Sequence, residues 1–267
     1  MIRLFRGIIP WQNSLNENRN ILKFWLRISP GYLGNSIVYS SLNLVLNPLL
    51  GLGGYLDDHI FIRSVDELYE KLEIVKGNGP GDYIKFNIGN LSLEPFLSVA
   101  SGVSRPFDSL SLQVPIQYFH LDEAMQIVEN VPSGNFHSAY LVDSEYIDLQ
   151  KQVDKTQYIY TGGLRKDKSW NDKNRVLVNG RPGRKAALPG KDGHLETGAA
   201  HFWFGDLIYK DIPKERILSF GQAHEIRELP NGIIYVNLYE DTFNGNLPEN
   251  QVKQEAFKEH LGLIQKS

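Results

Sequence analysis

The chain has 267 residues, with 28 lysines and arginines against 31 aspartates and glutamates, for a net charge of −3. That length buries a core large enough to be stable without metal or disulfide staples, and the near-balanced charge argues against a nucleic-acid binder held by overall electrostatics. The absence of cysteine removes disulfides, thiol nucleophiles and cysteine-based zinc sites, and it fits a reducing compartment.

Arg3 and Arg6 precede an apolar run, Gly7, Ile8 and Ile9, that Pro10 ends too early for a secretory signal core. No stretch reaches the roughly 20 apolar residues of a membrane span. A cytoplasmic protein that does not enter a membrane is the expectation. Residues 1–9 read as a strand and 21–28 as a second apolar run, with a polar loop between them. Pro30, Gly31 and Gly34 break the pattern. Residues 36–50 mix Ile37, Val38, Tyr39, Leu42, Leu44, Val45 and Leu46 in a spacing that fits either a strand or a buried helix.

After the glycines at 51, 53 and 54, residues 59–63 read as a strand. Ser64 then opens a helix with a capping box closed by Glu67. Val65, Leu68, Tyr69, Leu72 and Val75 supply its apolar stripe, Gly77 ends it, and 82–88 is the next strand. A similar arrangement follows. Residues 109–116 read as a strand, 121–131 as a helix with Ala124, Met125 and Val128 inward, Pro132-Ser133-Gly134 as a stop, and 138–142 as a strand. Val65-Asp66-Glu67-Leu68 and Leu121-Asp122-Glu123-Ala124 hold the same place in the two units, although acids are favoured in any first helical turn.

Residues 161–198 differ in composition, with seven glycines among many charges and an apolar island only at Val176, Leu177 and Val178. They read as a long Gly-rich basic loop, partly ordered. The densest apolar stretch comes next, from His201 to Glu240. Phe202, Trp203, Phe204, Leu207, Ile208 and Tyr209 lead to Pro213, placed as the first residue of a helix ending before Gly221. Two strands, 224–229 and 233–239, flank a Pro230-Asn231-Gly232 turn suited to a hairpin. In the second strand Ile234, Val236 and Leu238 share an apolar face, and Ile233, Tyr235, Asn237 and Tyr239 form a mixed one. Pro248 opens a last helix with Val252, Ala256, Phe257, His260, Leu261 and Ile264 as its inward stripe, and Gly262 near its end. The fold class expected is α+β: one domain over 1–267, with an antiparallel-rich mixed sheet flanked by helices and two related strand-helix-strand units.

Candidate chemistry is sparse. His194, Glu196 and His201 lie close in sequence but lack the i, i+4 histidine spacing of helical zinc hydrolases, so no metal and no other cofactor is expected. Gly51-Leu52-Gly53-Gly54 lacks the Lys-Ser/Thr pair of a phosphate cradle, and no Gly-x-Ser-x-Gly elbow occurs. No catalytic set assembles from local spacing. The basic cluster Arg165, Lys166, Lys168, Arg175, Arg181, Arg184 and Lys185 surrounds Trp170 and is diluted by Asp167, Asp172 and Asp192. It could grip phosphates or stack a base, but a charged loop of this kind is more often simply solvated. Asp57 and Asp58, Asp143, Glu145 and Asp148, and Glu240 and Asp241 sit on expected exposed turns, where solvation or a basic partner would account for them.

The layout of the second half resembles a known family. The run Leu110-Ser111-Leu112-Gln113-Val114-Pro115, the helix, the Pro-Ser-Gly turn and Ala139-Tyr140-Leu141 are similar to the middle of immunity proteins of bacterial polymorphic toxins and type VI secretion effectors. So is the ending: Phe202-Trp203-Phe204-Gly205, then Ile212-Pro213-Lys214-Glu215-Arg216-Ile217-Leu218, the hairpin Leu229-Pro230-Asn231-Gly232-Ile233-Ile234 and a closing helix. The resemblance covers residues 105–265 and lies in layout more than in motifs. It implies a cytoplasmic α+β protein, not an enzyme, that binds and blocks a cognate toxin, often a nuclease. Arg165, Asp167, Trp170, Asp172, Arg175, Asp143 and Glu145 are then the candidate partner-binding residues. The alternative is an enzyme acting on a phosphate-bearing substrate through the loop 161–198, and a structural assembly protein is a third class.

Overall fold

The computed structural model describes residues 21–30, 32, 40, 43, 54–56, 60–62, 64, 66–67, 70, 83–88, 96–100, 107–116, 119–144, 146–147, 186–187, 194–195 and 198–263. The strands are β1 (Ile21–Ile28), β2 (Gly54–Leu56), β3 (Ile60–Ile62), β4 (Tyr83–Ile88), β5 (Phe96–Ala100), β6 (Asp108–Pro115) and β7 (Phe136–Asp143), then β8 (Ala186–Ala187), β9 (His194–Leu195), β10 (His201–Phe204), β11 (Glu225–Glu228) and β12 (Ile234–Asn237). The helices are α1 (Leu121–Glu129), α2 (Asp206–Tyr209), α3 (Lys214–Leu218) and α4 (Pro248–His260). Ten strands form one sheet in the order β11-β12-β10-β7-β1-β6-β5-β4-β2-β3, and β8 pairs with β9 apart from it. The class is α+β. Every pairing among the described strands is antiparallel, so the sheet is not mixed as the sequence suggested.

The two strand-helix-strand units share a topology. β6 and β7 both run antiparallel to β1, which lies between them, so they are parallel to each other and joined across β1 by α1. β3 and β4 flank β2 in the same way, and the connection between them contains helical Asp66, Glu67 and Glu70. Each unit then adds its next main-sheet strand outside the post-helix strand: β10 beside β7, and β5 beside β4. Both four-strand arrays, β10-β7-β1-β6 and β5-β4-β2-β3, therefore read in the same order and direction, one beside the other, with the second inserted in the chain between β1 and β6. The helix starts match as well. The Glu67 amide donates to Ser64 Oγ at 3.2 Å, and Glu123 Oε2 accepts from the His120 amide at 2.8 Å. The two bonds are the complementary halves of a capping box.

Strand β1 buries alternate residues, Leu22, Phe24, Leu26 and Ile28, against α1 through Ala124, Ile127 and Val128. Leu110, Leu112 and Val114 of β6 continue that face, and Trp203, fully buried, meets the edge of Phe24 at 6.1 Å between ring centroids. Met125, expected inward, is only partly buried, with its sulfur accepting from Trp203 Nε1 at 3.5 Å. The opposite face carries Phe202, Phe204, Ile234 and Val236 beneath α2, α3 and α4. Strand β12 is therefore buried on both sides, and its second face is mixed as the sequence suggests, with Asn237 on the same side as Tyr235.

Local differences have local causes. The apolar run 202–209 is not continuous strand: β10 ends at Phe204, and α2 follows from an extended Gly205. Pro213 caps α3 rather than opening it, with ψ at 141°. The 230–232 turn forms as expected, Gly232 adopting φ of +85°, and Asn231 Nδ2 donates to the carbonyls of Val128 at 2.9 Å and Val131 at 2.8 Å. Those bonds tie the hairpin to the end of α1, where helix carbonyls lack internal partners. Helix α4 starts at Pro248 and stops cleanly at Gly262, whose φ of +74° suits glycine. The amides of Gly262 and Leu263 return to the carbonyls of Glu259 and Lys258, closing the end of the helix. Its inward stripe is not the one expected. Phe257 and Leu261 are buried, but Val252 is 65 % exposed, and Asn250 and Gln254 take the inward positions. Residues 1–9, most of 36–50 and most of 161–198 lie outside the described residues.

Candidate functional site

An open groove of about 680 Å³ lies on the α1 face of the sheet, beyond the start of that helix. Sheet register builds its floor. Leu141 pairs with His201 and His201 with Asn237, so the three side chains emerge side by side from β7, β10 and β12. Leu22 of β1 and Phe243 extend the apolar part, and the mouth carries Glu240, Asp241 and His120. Glu240 and Asp241 are exposed, as expected of them.

His201 is the structural pivot. It is buried, with Nδ1 2.9 Å from Tyr235 Oη and Nε2 2.9 Å from Thr242 Oγ1. Its ring stacks on Tyr235 with 6.1 Å between centroids and 8° between planes. Burial, and then the nearby His224, hold its pKa down to about 4. The imidazole is therefore neutral at pH 7, and its one N–H and one bare nitrogen are matched by the two hydroxyls. Burial likewise pushes the Tyr235 phenol well above its usual range, with Glu225 adding to the shift, so the phenol stays protonated. This arrangement fastens the turn after β12 to the sheet.

That turn is a short 3-10 helix, Thr242–Asn244, capped by Asp241, whose Oδ1 accepts from the Phe243 amide at 2.9 Å. Below it, fully buried Gln254 of α4 donates to the Gly245 carbonyl at 3.0 Å and accepts from Tyr146 Oη at 2.6 Å. Asn250 donates to the Asn244 carbonyl at 2.8 Å. The acidic mouth is thus held from both sides. Asn237, only 7 % exposed, is different: its Oδ1 is buried and accepts no hydrogen bond from the described residues. Native interiors rarely leave such an acceptor empty, because its lost hydration is not replaced.

Of the residues singled out from sequence, Arg165, Asp167, Trp170, Asp172, Arg175 and Glu145 lie outside the described residues. Asp143 does not sit on an exposed turn: it ends β7 and is 3 % exposed, because the strand runs one residue beyond the expected boundary and its last side chain is covered. His194 belongs to β9, Glu196 is outside the described residues, and both nitrogens of His201 face hydroxyls. Among the described residues, no group of three His, Cys, Asp or Glu is placed to hold a metal ion, and no helix is long and apolar enough to cross a membrane. Asn237 and Thr242 were not singled out. The one signal for Asn237 was a carboxamide within an otherwise apolar strand. No protein family, no curated protein and no solved structure matches the chain.

Proposed function

We propose that this chain is a non-enzymatic immunity protein that binds a cognate bacterial toxin, a nuclease-type effector, and blocks it in the cytoplasm. The observation that carries the reading is the groove itself, a preformed concave site with an acidic mouth on a rigid sheet. Toxins that act on nucleic acid present basic surfaces to phosphates, and an acidic concavity matches such a surface. Two of the side chains that could do acid-base chemistry here are engaged in holding the fold. His201 is held between Tyr235 and Thr242, and Asp241 caps the turn after β12. The alternative, an enzyme for a phosphate-bearing substrate, is disfavoured at this groove by Glu240 and Asp241, which would repel the phosphate.

Co-expression with a toxin encoded beside this chain tests the reading. Rescue of growth together with co-purification of the two proteins is the expected result. Failure of both overturns it and moves the phosphate-substrate enzyme ahead.

A further inference from the structure

We propose that the groove is the receptor for one arginine side chain of a basic protein partner, with the guanidinium held at Asn237 and the acidic mouth. The identity of the partner rests on the binding reading above; the chemistry of the groove does not.

Two independent observations point to a cation carrying hydrogen-bond donors. The first is Asn237, a residue that lines the groove and is more than nine-tenths buried, with a buried acceptor oxygen that nothing among the described residues satisfies. A donor arriving from outside would remove the cost of that empty acceptor. The second is charge. Glu240 and Asp241 line the same groove, and the neutral His201 beside Asn237 adds no positive charge against a cation. The start of α1, which could otherwise attract an anion, is already matched: Glu123 accepts from the His120 amide, and Asp122 stands in the same first turn.

The apolar floor selects an arginine over a small cation. Leu22, Leu141 and Phe243 offer a surface for an aliphatic stem, and a planar head with five N–H groups can reach a carboxamide oxygen and a carboxylate together. A metal ion would leave the apolar floor unused. A phosphate would meet two carboxylates and an acceptor oxygen, with no free cation among these lining residues.

The test is a titration of the isotope-labelled full chain with N-acetyl-arginine N-methylamide, followed by amide NMR. Its uncharged citrulline counterpart and inorganic phosphate are titrated in parallel. The expected result is a saturable shift confined to residues around Asn237, Glu240 and Asp241, at least tenfold weaker for the citrulline compound and for the double variant E240Q/D241N. Asparagine still caps the Thr242–Asn244 turn, so the double variant keeps its fold. No shift at the groove, equal binding of the citrulline compound, or a groove response to phosphate instead would overturn the inference. The two readings fail separately. Arginine binding without co-purification of a toxin leaves the groove assignment and removes the toxin, and a toxin complex indifferent to E240Q/D241N does the reverse.

Discussion

The two faces of the sheet are closed by different means, and the difference explains why the groove lies on only one of them. Over β7, β10 and β12 one face is covered by α2, α3 and α4 in succession, and its aromatic rings interlock: Phe257 meets Phe202 at 5.3 Å and Phe220 at 5.0 Å between centroids. The other face is covered by α1, nine residues long. A helix of that length spans about 14 Å, whereas an eight-residue strand such as β1 or β7 spans about 26 Å. The helix runs out before the strands do, and beyond its start the sheet's own side chains line an open concavity. The groove is a consequence of a cover shorter than the surface beneath it.

The closed face should be the more sensitive to truncation. Phe257 is fully buried in contact with three other rings, Phe202 and Phe204 of β10 and Phe220 just after α3, so Phe257→Ala leaves a cavity that neighbouring aromatics cannot easily fill. A loss of about 3 to 5 kcal/mol is expected, read as a lower urea midpoint with an unchanged slope. An unchanged midpoint would mean that α4 is peripheral and that the two faces do not differ as described.

Much of this architecture is legible in the sequence because it is set by near neighbours. The apolar run Ile21–Ile28 has the bounds of β1, the acids after His120 mark the start of α1, and Asn231-Gly232 marks the hairpin. The pairing of β1 is not legible. Its partners, β6 and β7, begin some 80 and 108 residues after the end of β1, and no local pattern encodes that β1 lies between them. The groove is hidden for the same reason. Leu22, Leu141, His201 and Asn237 come from four strands and meet only through register. Asp143 was misplaced because an acid at a strand end reads as a turn residue, and burial at that point depends on what packs over it.

The open face should respond to pH more than to truncation, and His201 sets the sign. Above about pH 6.5 the ring is neutral in both the folded and unfolded chain. Between that value and about 4, the unfolded chain takes up a proton that the buried ring refuses. Stability contributed by the neutral ring is therefore fully present above pH 6.5 and is lost as pH falls through the folded value, by up to about 3 kcal/mol. Denaturant unfolding from pH 7 to 4 should show this decline, and His201→Gln should reduce it by one proton's slope. A variant with the same slope as the parent chain would place the pH sensitivity elsewhere.

The smallest effect is expected on α4, and it sharpens the comparison because it separates hydrophobicity from burial. Val252 belongs to the apolar stripe that the sequence suggests, yet the helix turns it outward and directs Asn250, Gln254, Phe257 and Leu261 inward, at separations of four, seven and eleven residues from Asn250. The polar members of that inward row are satisfied by the turn they support: Gln254 by Tyr146, Tyr239 and the Gly245 carbonyl, and Asn250 by the Asn244 carbonyl. A buried carboxamide with partners on both its nitrogen and its oxygen is tolerated, and it fixes the rotation of the helix more narrowly than an apolar contact would. Val252→Ala should therefore change stability by no more than about 0.5 kcal/mol, whereas Gln254→Ala should cost more, because it strips partners from Tyr146 and Gly245. If Val252→Ala proves as damaging as Phe257→Ala, α4 is rotated from the position described, and the support beneath the acidic mouth of the groove must be redrawn.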